Sequence, residues 1–366
     1  MPQEASMEPR IAEFDWLKML ALFLLIFVHS DLLFVFPEIV NPLKWIMVSS
    51  FFLISGFLAF NSFHKRGTKI RNFLKTKILL LYVPFVIASI FYSVLVMTFG
   101  AVEIDIVSLL SQVTLLNIFD SVNALYNWGF LWFLPYLLLF MFIFCFLEKY
   151  IKNVKVQVLL VSFLWFITIL AWVCDASMKL GQLFSQYFLI FMIGVWLNKL
   201  GVYDRIMSFR TACVTVPLLA VFSLDFSNLF TFNDTTETLK YLLYSNGRSI
   251  ILSLSAVLLV LLLLQKSRVR QNRFVELIVT ASIFIYLLEP FVGYMLSLFV
   301  FGQPTVYLAD GADFFLYQIG RIVILLVLLP PVVKAIKQLH QKMTHNVNSG
   351  DNRRFEALHT TPECAE

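Results

Sequence analysis

Residues 14–31 read FDWLKMLALFLLIFVHSD, and this stretch sets the character of the whole chain. Apolar side chains fill every position between Lys18 and His29. The alternation of apolar and polar residues that marks a strand of a membrane β-barrel does not occur. About 20 mostly apolar residues cross a bilayer as a helix. The sequence therefore predicts a membrane-spanning helix over 16–36.

The composition extends this prediction to the whole chain. Of its 366 residues, 60% are apolar and 14% are charged, and the mean hydropathy is +0.83. A soluble domain carries about 25% charged residues. An aromatic content of 16% excludes a disordered chain, and four cysteines without a spacing pattern exclude a disulfide scaffold. The predicted class is an all-α polytopic membrane protein, so a net charge of +5 does not indicate a nucleic-acid partner.

Ten apolar runs are each bounded by charge clusters or by Pro, Gly and Asn. They are 16–36, 44–62, 77–99, 129–147, 155–174, 182–198, 211–230, 248–264, 277–299 and 313–333. Residues 104–119 are shorter and more polar, and we expect an interfacial or re-entrant segment there.

The distribution of basic residues predicts the orientation of these spans. Most of the 28 lysines and arginines fall in alternate loops and in the two tails. Because cytoplasmic loops are enriched in Lys and Arg, ten helices with both termini in the cytoplasm fit best. We expect a cytoplasmic segment over 1–15, a membrane domain over 16–335 and a cytoplasmic, disordered tail over 336–366.

Ionisable residues inside spans are costly and are candidates for function. They are Lys18, His29, Asp31, Glu289 and Arg321. Lys18 and His29 are eleven residues apart, which places them on one helix face about 16 Å from each other. Glu289 and Arg321 are expected at the depth of His29, in the outer half of the membrane. A carboxylate beside His29 tunes it as a general base.

Each of these residues also has a structural interpretation. His29 can be a hydrogen-bonded packing residue, Lys18 an anchor at the membrane surface, and Glu289 with Arg321 an ion pair joining two helices. Clusters of His, Cys and Asp with ligand spacing do not occur, so no metal site is predicted.

Three further features are candidates for binding or packing. Ser55 and Gly56 are small residues at mid-membrane depth, where they allow close helix packing or leave room for an acyl chain. Trp132 lies in an aromatic-rich stretch at the outer surface. The basic segment 64–77, HKRGTKIRNFLKTK, either attracts anionic lipid or docks a polyphosphorylated molecule through Arg71, Lys75 and Lys77.

Four short motifs, in this order along the chain, resemble the membrane-bound acyltransferase 3 family. Lys18-x10-His29 is similar to the family's Arg-x10-His, and FFLISGF (51–57) to its FF-x-x-SG-F block. LWFLPYLL (131–138) is similar to a Trp-Phe-Leu block, and IYLLEP (285–290) to a Tyr-Leu-x-His segment in which Glu289 stands at the histidine position. The resemblance runs from about residue 12 to 333.

The resemblance implies an enzyme that transfers an acetyl or similar group from acyl-CoA to a hydroxyl of a surface polysaccharide or glycolipid. His29 would be the general base or the acyl carrier, and Lys18, in place of arginine, would contact CoA or its thioester. The donor is a substrate, and no tightly bound cofactor is expected. The resemblance also implies a location in the bacterial inner (plasma) membrane. The acyl group, the acceptor and the number of subunits are left open.

Two other functions fit the same residues. In a proton-coupled transporter or flippase, His29, Asp31, Glu289 and Arg321 would form a proton relay or a solute site. Such proteins carry Gly- or Pro-broken helices in paired positions, which this sequence does not show. A non-catalytic partner in polysaccharide assembly is the third hypothesis.

Overall fold

The computed structural model describes residues 11–28, 37–65, 69–99, 106–116, 131–174, 179–224, 235–302, 316–335 and 338. All regular secondary structure in these ranges is helical, which confirms the all-α class. The helices are α1 (Ala12–Val28), α2 (Pro37–Lys65), α3 (Ile70–Lys77), α4 (Val83–Phe99), α5 (Ile106–Val113), α6 (Phe133–Tyr150), α7 (Val154–Cys174), α8 (Lys179–Lys199), α9 (Tyr203–Ile206), α10 (Phe209–Ser223), α11 (Thr235–Lys266), α12 (Arg273–Thr280), α13 (Ser282–Phe301) and α14 (Leu316–Ala335).

Within the described ranges, seven helical segments are long and apolar enough to cross a membrane. They are Leu43–Lys65, Ile70–Leu95, Phe133–Tyr150, Val154–Val173, Thr238–Lys266, Ser282–Val300 and Leu316–Ala335. The multi-pass membrane class is confirmed. Ten spans and two cytoplasmic termini stay predictions, and most of the predicted segments 1–15 and 336–366 lies outside the described residues.

Polar contacts hold together the helix ends that the charge pattern assigns to the cytoplasm. The indole nitrogen of Trp16, near the start of α1, donates a hydrogen bond to the carbonyl of Arg270, just before α12 (3.0 Å). Lys199 at the end of α8 pairs with Glu148 near the end of α6 (2.7 Å), and His64 of α2 lies 3.6 Å from the same carboxylate. We call this end of the helix bundle the basic end.

The third predicted span begins earlier than expected, at Ile70 instead of 77. Residues 70–77 form α3, which buries Phe73 completely and leaves Arg71 and Lys75 exposed, so its basic residues are helical. A π-helical turn over Ile78–Tyr82 joins α3 to α4, and in it Val83 N–H donates to the carbonyl of Ile78. Pro84 follows directly and has no N–H to donate, which favours this wider turn over a regular α-helix.

Of the segment predicted to be interfacial, the structure describes 106–116, which contains one helix of eight residues, α5, too short to cross a bilayer. Ile106, Val107 and Leu110 are exposed apolar residues on it. The hydroxyl of Tyr82 donates to the carbonyl of Val113 (2.8 Å), which fixes the end of α5 to the π-helical turn.

The seventh predicted run, 211–230, is wrong at its end, because α10 stops at Ser223 and Leu224 is extended. Arg248 of α11 donates to the carbonyls of Phe222 (2.8 Å) and Ser223 (3.2 Å). A cation at the carbonyl end of a helix satisfies groups that have no partner within the helix.

The core depends on very close contact between α2 and α8. A methyl group on Gly56 would overlap the backbone carbonyl of Phe191, and one on Gly194 would overlap that of Leu53. Because neither glycine has a side chain, the two backbones touch and the flanking aromatic rings pack on each side. Phe52 is fully buried there, with its ring centroid 5.1 Å from that of Phe140.

Candidate functional site

An elongated cavity of about 230 Å³ lies between α1, α2, the α3–π-turn segment, α6 and α13. Its described wall is Lys18, Leu25, Met47, Val48, Phe51, Ser55, Leu58, Lys77, Leu80, Leu81, Trp132, Phe133, Leu134, Leu137, Met141, Ser282, Ile283 and Tyr286. Four residues that the sequence singled out separately, Lys18, Ser55, Lys77 and Trp132, are thereby brought to one site.

The cavity runs along the bundle axis. On α2 its wall extends from Met47 to Leu58, eleven residues apart, which corresponds to about 16 Å along the helix. Leu58 is near the basic end of α2 and Met47 is toward the opposite end. Along α6 the wall extends from Trp132, directly before the helix, to Met141, about 13 Å. The cavity therefore reaches through roughly half the thickness of a bilayer.

The two lysines lie toward the basic end of this cavity. Lys18 is six residues from the start of α1, and Lys77 is the last residue of α3, with its Nζ 5.3 Å from the ring centroid of Phe73. None of the described wall residues is acidic, so this end of the cavity favours an anion.

Farther along, the wall changes from cationic to weakly polar and then to apolar. Ser55, Ser282 and Tyr286 supply hydroxyl groups in the middle. Leu25, Met47 and Trp132 line the far part. Trp132 is held by neighbouring rings, with its centroid 5.5 Å from that of Tyr187 and 6.0 Å from that of Tyr136. A wall of this order suits an extended molecule with an anionic head and a less polar tail.

Glu289 and Arg321 form a buried ion pair between α13 and α14. Glu289 is fully buried and Arg321 is 1% exposed. The guanidinium carbon lies 5.0 Å from the ring centroid of Tyr317. Gly293 makes room for this arrangement, since a Cβ there would lie 2.9 Å from the Tyr317 hydroxyl and 3.3 Å from Nε of Arg321.

Helix α1 packs against the same two helices. Leu22 and Ile26 of α1 share one apolar cluster with Ile285 of α13 and with Leu325 and Leu329 of α14. The helices that carry Lys18, Glu289 and Arg321 are thus neighbours. Glu289 follows the cavity residue Tyr286 by three residues, which places it one turn farther from the basic end on α13.

The other predicted site residues have separate locations. His29 and Asp31 lie outside the described residues. Arg71 and Lys75 lie on the exposed side of α3, outside the described cavity wall. Gly56 lies against α8 and not in the cavity.

Glu148 is a structural residue that the sequence analysis did not select. The residue is 6% exposed, and its carboxylate accepts hydrogen bonds from Lys199 (2.7 Å) and from Gln157 (3.0 Å). Gln157 in turn accepts one from the indole of Trp196 (3.0 Å). This network joins α6, α7 and α8 at the basic end. Glu148 is followed by Lys149 at the end of an apolar run, and this pattern is typical of a loop residue.

The fold and the cavity define a multi-pass helical membrane protein with a cationic, elongated pocket between its helices. A family model described as an acyltransferase domain matches residues 11–333, and the chain belongs to this family, acyltransferase 3. The family predicted from the four motifs is thereby confirmed, and the protein is a membrane acyltransferase. Neither a curated protein nor a solved structure gives a significant match to the chain.

Proposed function

We propose that the protein transfers an acetyl or other short acyl group from acyl-CoA to a hydroxyl of a cell-surface polysaccharide or glycolipid. The observation that carries the choice of donor is the cavity, which has Lys18 and Lys77 toward one end and extends about 16 Å along the bundle. The choice of acceptor rests on what the family resemblance implies.

Acyl-CoA matches the order of groups along the cavity wall. Its phosphates would bind Lys18 and Lys77, and Arg71 and Lys75 on the exposed side of α3 would add positive charge nearby. The pantetheine arm would extend past Ser55 and Tyr286 toward the apolar part. Lysine replaces the arginine of the family motif at position 18, so the contact there is that of a point charge and not a bidentate fork.

The acyl group would then reach His29, for which the family motif supplies the role. His29 is four residues after the cavity residue Leu25 in the sequence. As a general base, it takes the proton of the acceptor hydroxyl while the oxygen attacks the thioester carbonyl. The new C–O bond replaces the C–S bond, and the proton passes to the departing thiolate of CoA. A covalent route, in which His29 carries the acyl group between donor and acceptor, uses the same residues.

In this proposal Glu289 and Arg321 are catalytic residues together with His29, and Glu289 is the carboxylate that orients His29. Donor and acceptor lie on opposite sides of the membrane. The bacterial plasma membrane separates cytoplasmic acyl-CoA from surface glycans in this way, and we place the protein there.

Mass spectrometry of surface glycans tests the proposal. Cells that make the wild-type protein should carry glycans heavier by one acyl unit than cells without it. This difference should disappear with His29→Ala, while the variant is still found in the membrane at normal amounts. His64→Ala, which changes a histidine at the basic end, is the matched control and should retain acylation. Unchanged glycans together with altered uptake or export of a solute would contradict the proposal and favour a transporter.

A further inference from the structure

Gln318 on α14 is a buried amide that lacks a hydrogen-bond partner among the described residues. The residue is 3% exposed, and neither its amide oxygen nor its amide nitrogen has a partner there. A buried polar group left without a partner costs about 1–3 kcal/mol. Native proteins keep few such groups, and each calls for an explanation such as a bound polar molecule.

The position of Gln318 is at the end of the bundle opposite the basic end. Gln318 precedes Leu325 by seven residues, which puts the two on one face of α14 about 10 Å apart. Leu325 shares an apolar cluster with Leu22 and Ile26 of α1. Gln318 therefore lies on the α1-facing side of α14, farther from the basic end than the apolar cluster around Leu325.

The neighbouring charged groups lie at the same end. Arg321 is one helical turn from Gln318, and its ion pair brings Glu289 of α13 to this level. Donor-binding Lys18 and Lys77 are toward the opposite end of the bundle. The two regions thus face opposite sides of the membrane, as transfer between two compartments requires.

We propose that Gln318 binds the hydroxyl-bearing acceptor, an inference that rests on the proposed acyl transfer. A primary amide offers a carbonyl acceptor and an N–H donor side by side. A sugar presents hydroxyls on adjacent carbons, each of which both donates and accepts. One amide can therefore hold two neighbouring hydroxyls and fix which oxygen receives the acyl group.

The test separates acceptor binding from donor chemistry. Purified protein in lipid nanodiscs is given acetyl-CoA labelled in the acetyl group, with or without the surface-glycan fraction from cells that lack the protein. Release of labelled acetate without glycan measures transfer to water, and label in the glycan measures transfer to the acceptor. Gln318→Leu should lower glycan labelling at limiting glycan by 10-fold or more and leave acetate release within twofold of wild type.

The thermal unfolding midpoint shows whether a loss of glycan labelling comes from a folding defect or from weaker acceptor binding. Removal of an unpartnered amide should leave the thermal unfolding midpoint of Gln318→Leu equal to or above that of wild type. Ser253→Ala removes another buried, unpartnered polar group, on α11, and should change neither reaction. Equal glycan labelling by Gln318→Leu and wild type overturns the acceptor role. Absence of any labelled product from the wild-type protein would instead refute the proposed function itself.

Discussion

Glu289 on α13 and Arg321 on α14 neutralise each other inside the bundle, where Glu289 is fully buried and Arg321 is 1% exposed. Much of the rest of α14 is apolar and exposed, with Leu316, Ile319 and Val327 among its outward residues. The ion pair therefore fixes the register of a peripheral helix that apolar packing alone would hold weakly. Buried charges serve this purpose well, because any other register leaves a charge unpaired.

Loss of one partner should destabilise the protein far more than loss of both. We expect Glu289→Gln to lower the free energy of unfolding by about 3–5 kcal/mol, because the guanidinium stays buried without its counter-charge. Glu289→Leu combined with Arg321→Met should be less destabilising than either single change. Thermal unfolding in detergent, arranged as a double-mutant cycle, measures this coupling.

The same variants distinguish a structural from a catalytic role for Glu289. If the double variant folds and transfers acyl groups at the wild-type rate, the pair only joins two helices. If it folds but is inactive, at least one of the two charged groups also acts in the reaction. These are the two interpretations that the sequence left open.

Lys18 and Lys77 should contribute to donor affinity from two different helices. We expect Lys18→Gln and Lys77→Gln each to raise the KM for acetyl-CoA about 10-fold, which corresponds to about 1.4 kcal/mol of lost interaction. In the proposed function both would contact the same anionic group, so the double variant should show a non-additive loss. Steady-state kinetics with varied acetyl-CoA provides the measurement.

A suitable control for these lysines is Lys152→Gln, which removes an exposed cation between α6 and α7, away from the described cavity wall. It should leave KM unchanged. A similar rise in KM for all three variants would mean that general surface charge, and not the cavity, attracts the donor.

The contact between α2 and α8 should tolerate no side chain at its two glycines. Gly56→Val or Gly194→Val would drive a β-branched group into a backbone carbonyl, so we expect loss of folded protein from the membrane. Gly247→Ala on α11 is the comparison, because a Cβ there meets no described atom within 4 Å. Size-exclusion chromatography of fluorescently tagged variants distinguishes the two cases, and a monodisperse Gly56→Val protein would show that the helices can separate.

The membrane class and the rough positions of the helices could be predicted from the sequence, because apolar run length is a local property. The eighth run, for example, was predicted over 248–264 and lies within α11, Thr235–Lys266. The end of α10 could not be predicted in the same way, since it depends on Arg248 of a different helix. Similarly, the helical character of 70–77 comes from the burial of Phe73 against other helices.

Several residues of the site could be predicted from the sequence, but their proximity in the fold could not. Lys18 could be selected because a charge near an apolar run is costly, but its meeting with Lys77 depends on which helices are neighbours. Gln318 gives almost no signal in the sequence, since an uncharged polar residue near the end of a span usually faces the membrane surface. Its burial, and not its residue type, is what marks it.

Trp132 should limit the size of the acyl group that the enzyme accepts. Its indole lines the apolar part of the cavity and is held between Tyr187 and Tyr136, so it cannot easily move aside for a longer chain. Trp132→Ala would open this part of the cavity. We expect the ratio of kcat/KM for hexanoyl-CoA to that for acetyl-CoA to rise at least 10-fold, since each added methylene that finds apolar space contributes about 0.8 kcal/mol.

Trp172→Ala, on α7 and outside the described cavity wall, should leave the ratio as in the wild type. If Trp132→Ala retains the wild-type ratio together with measurable acetyl transfer, the acyl chain does not reach this part of the cavity, and the direction in which the donor lies along it must be reversed.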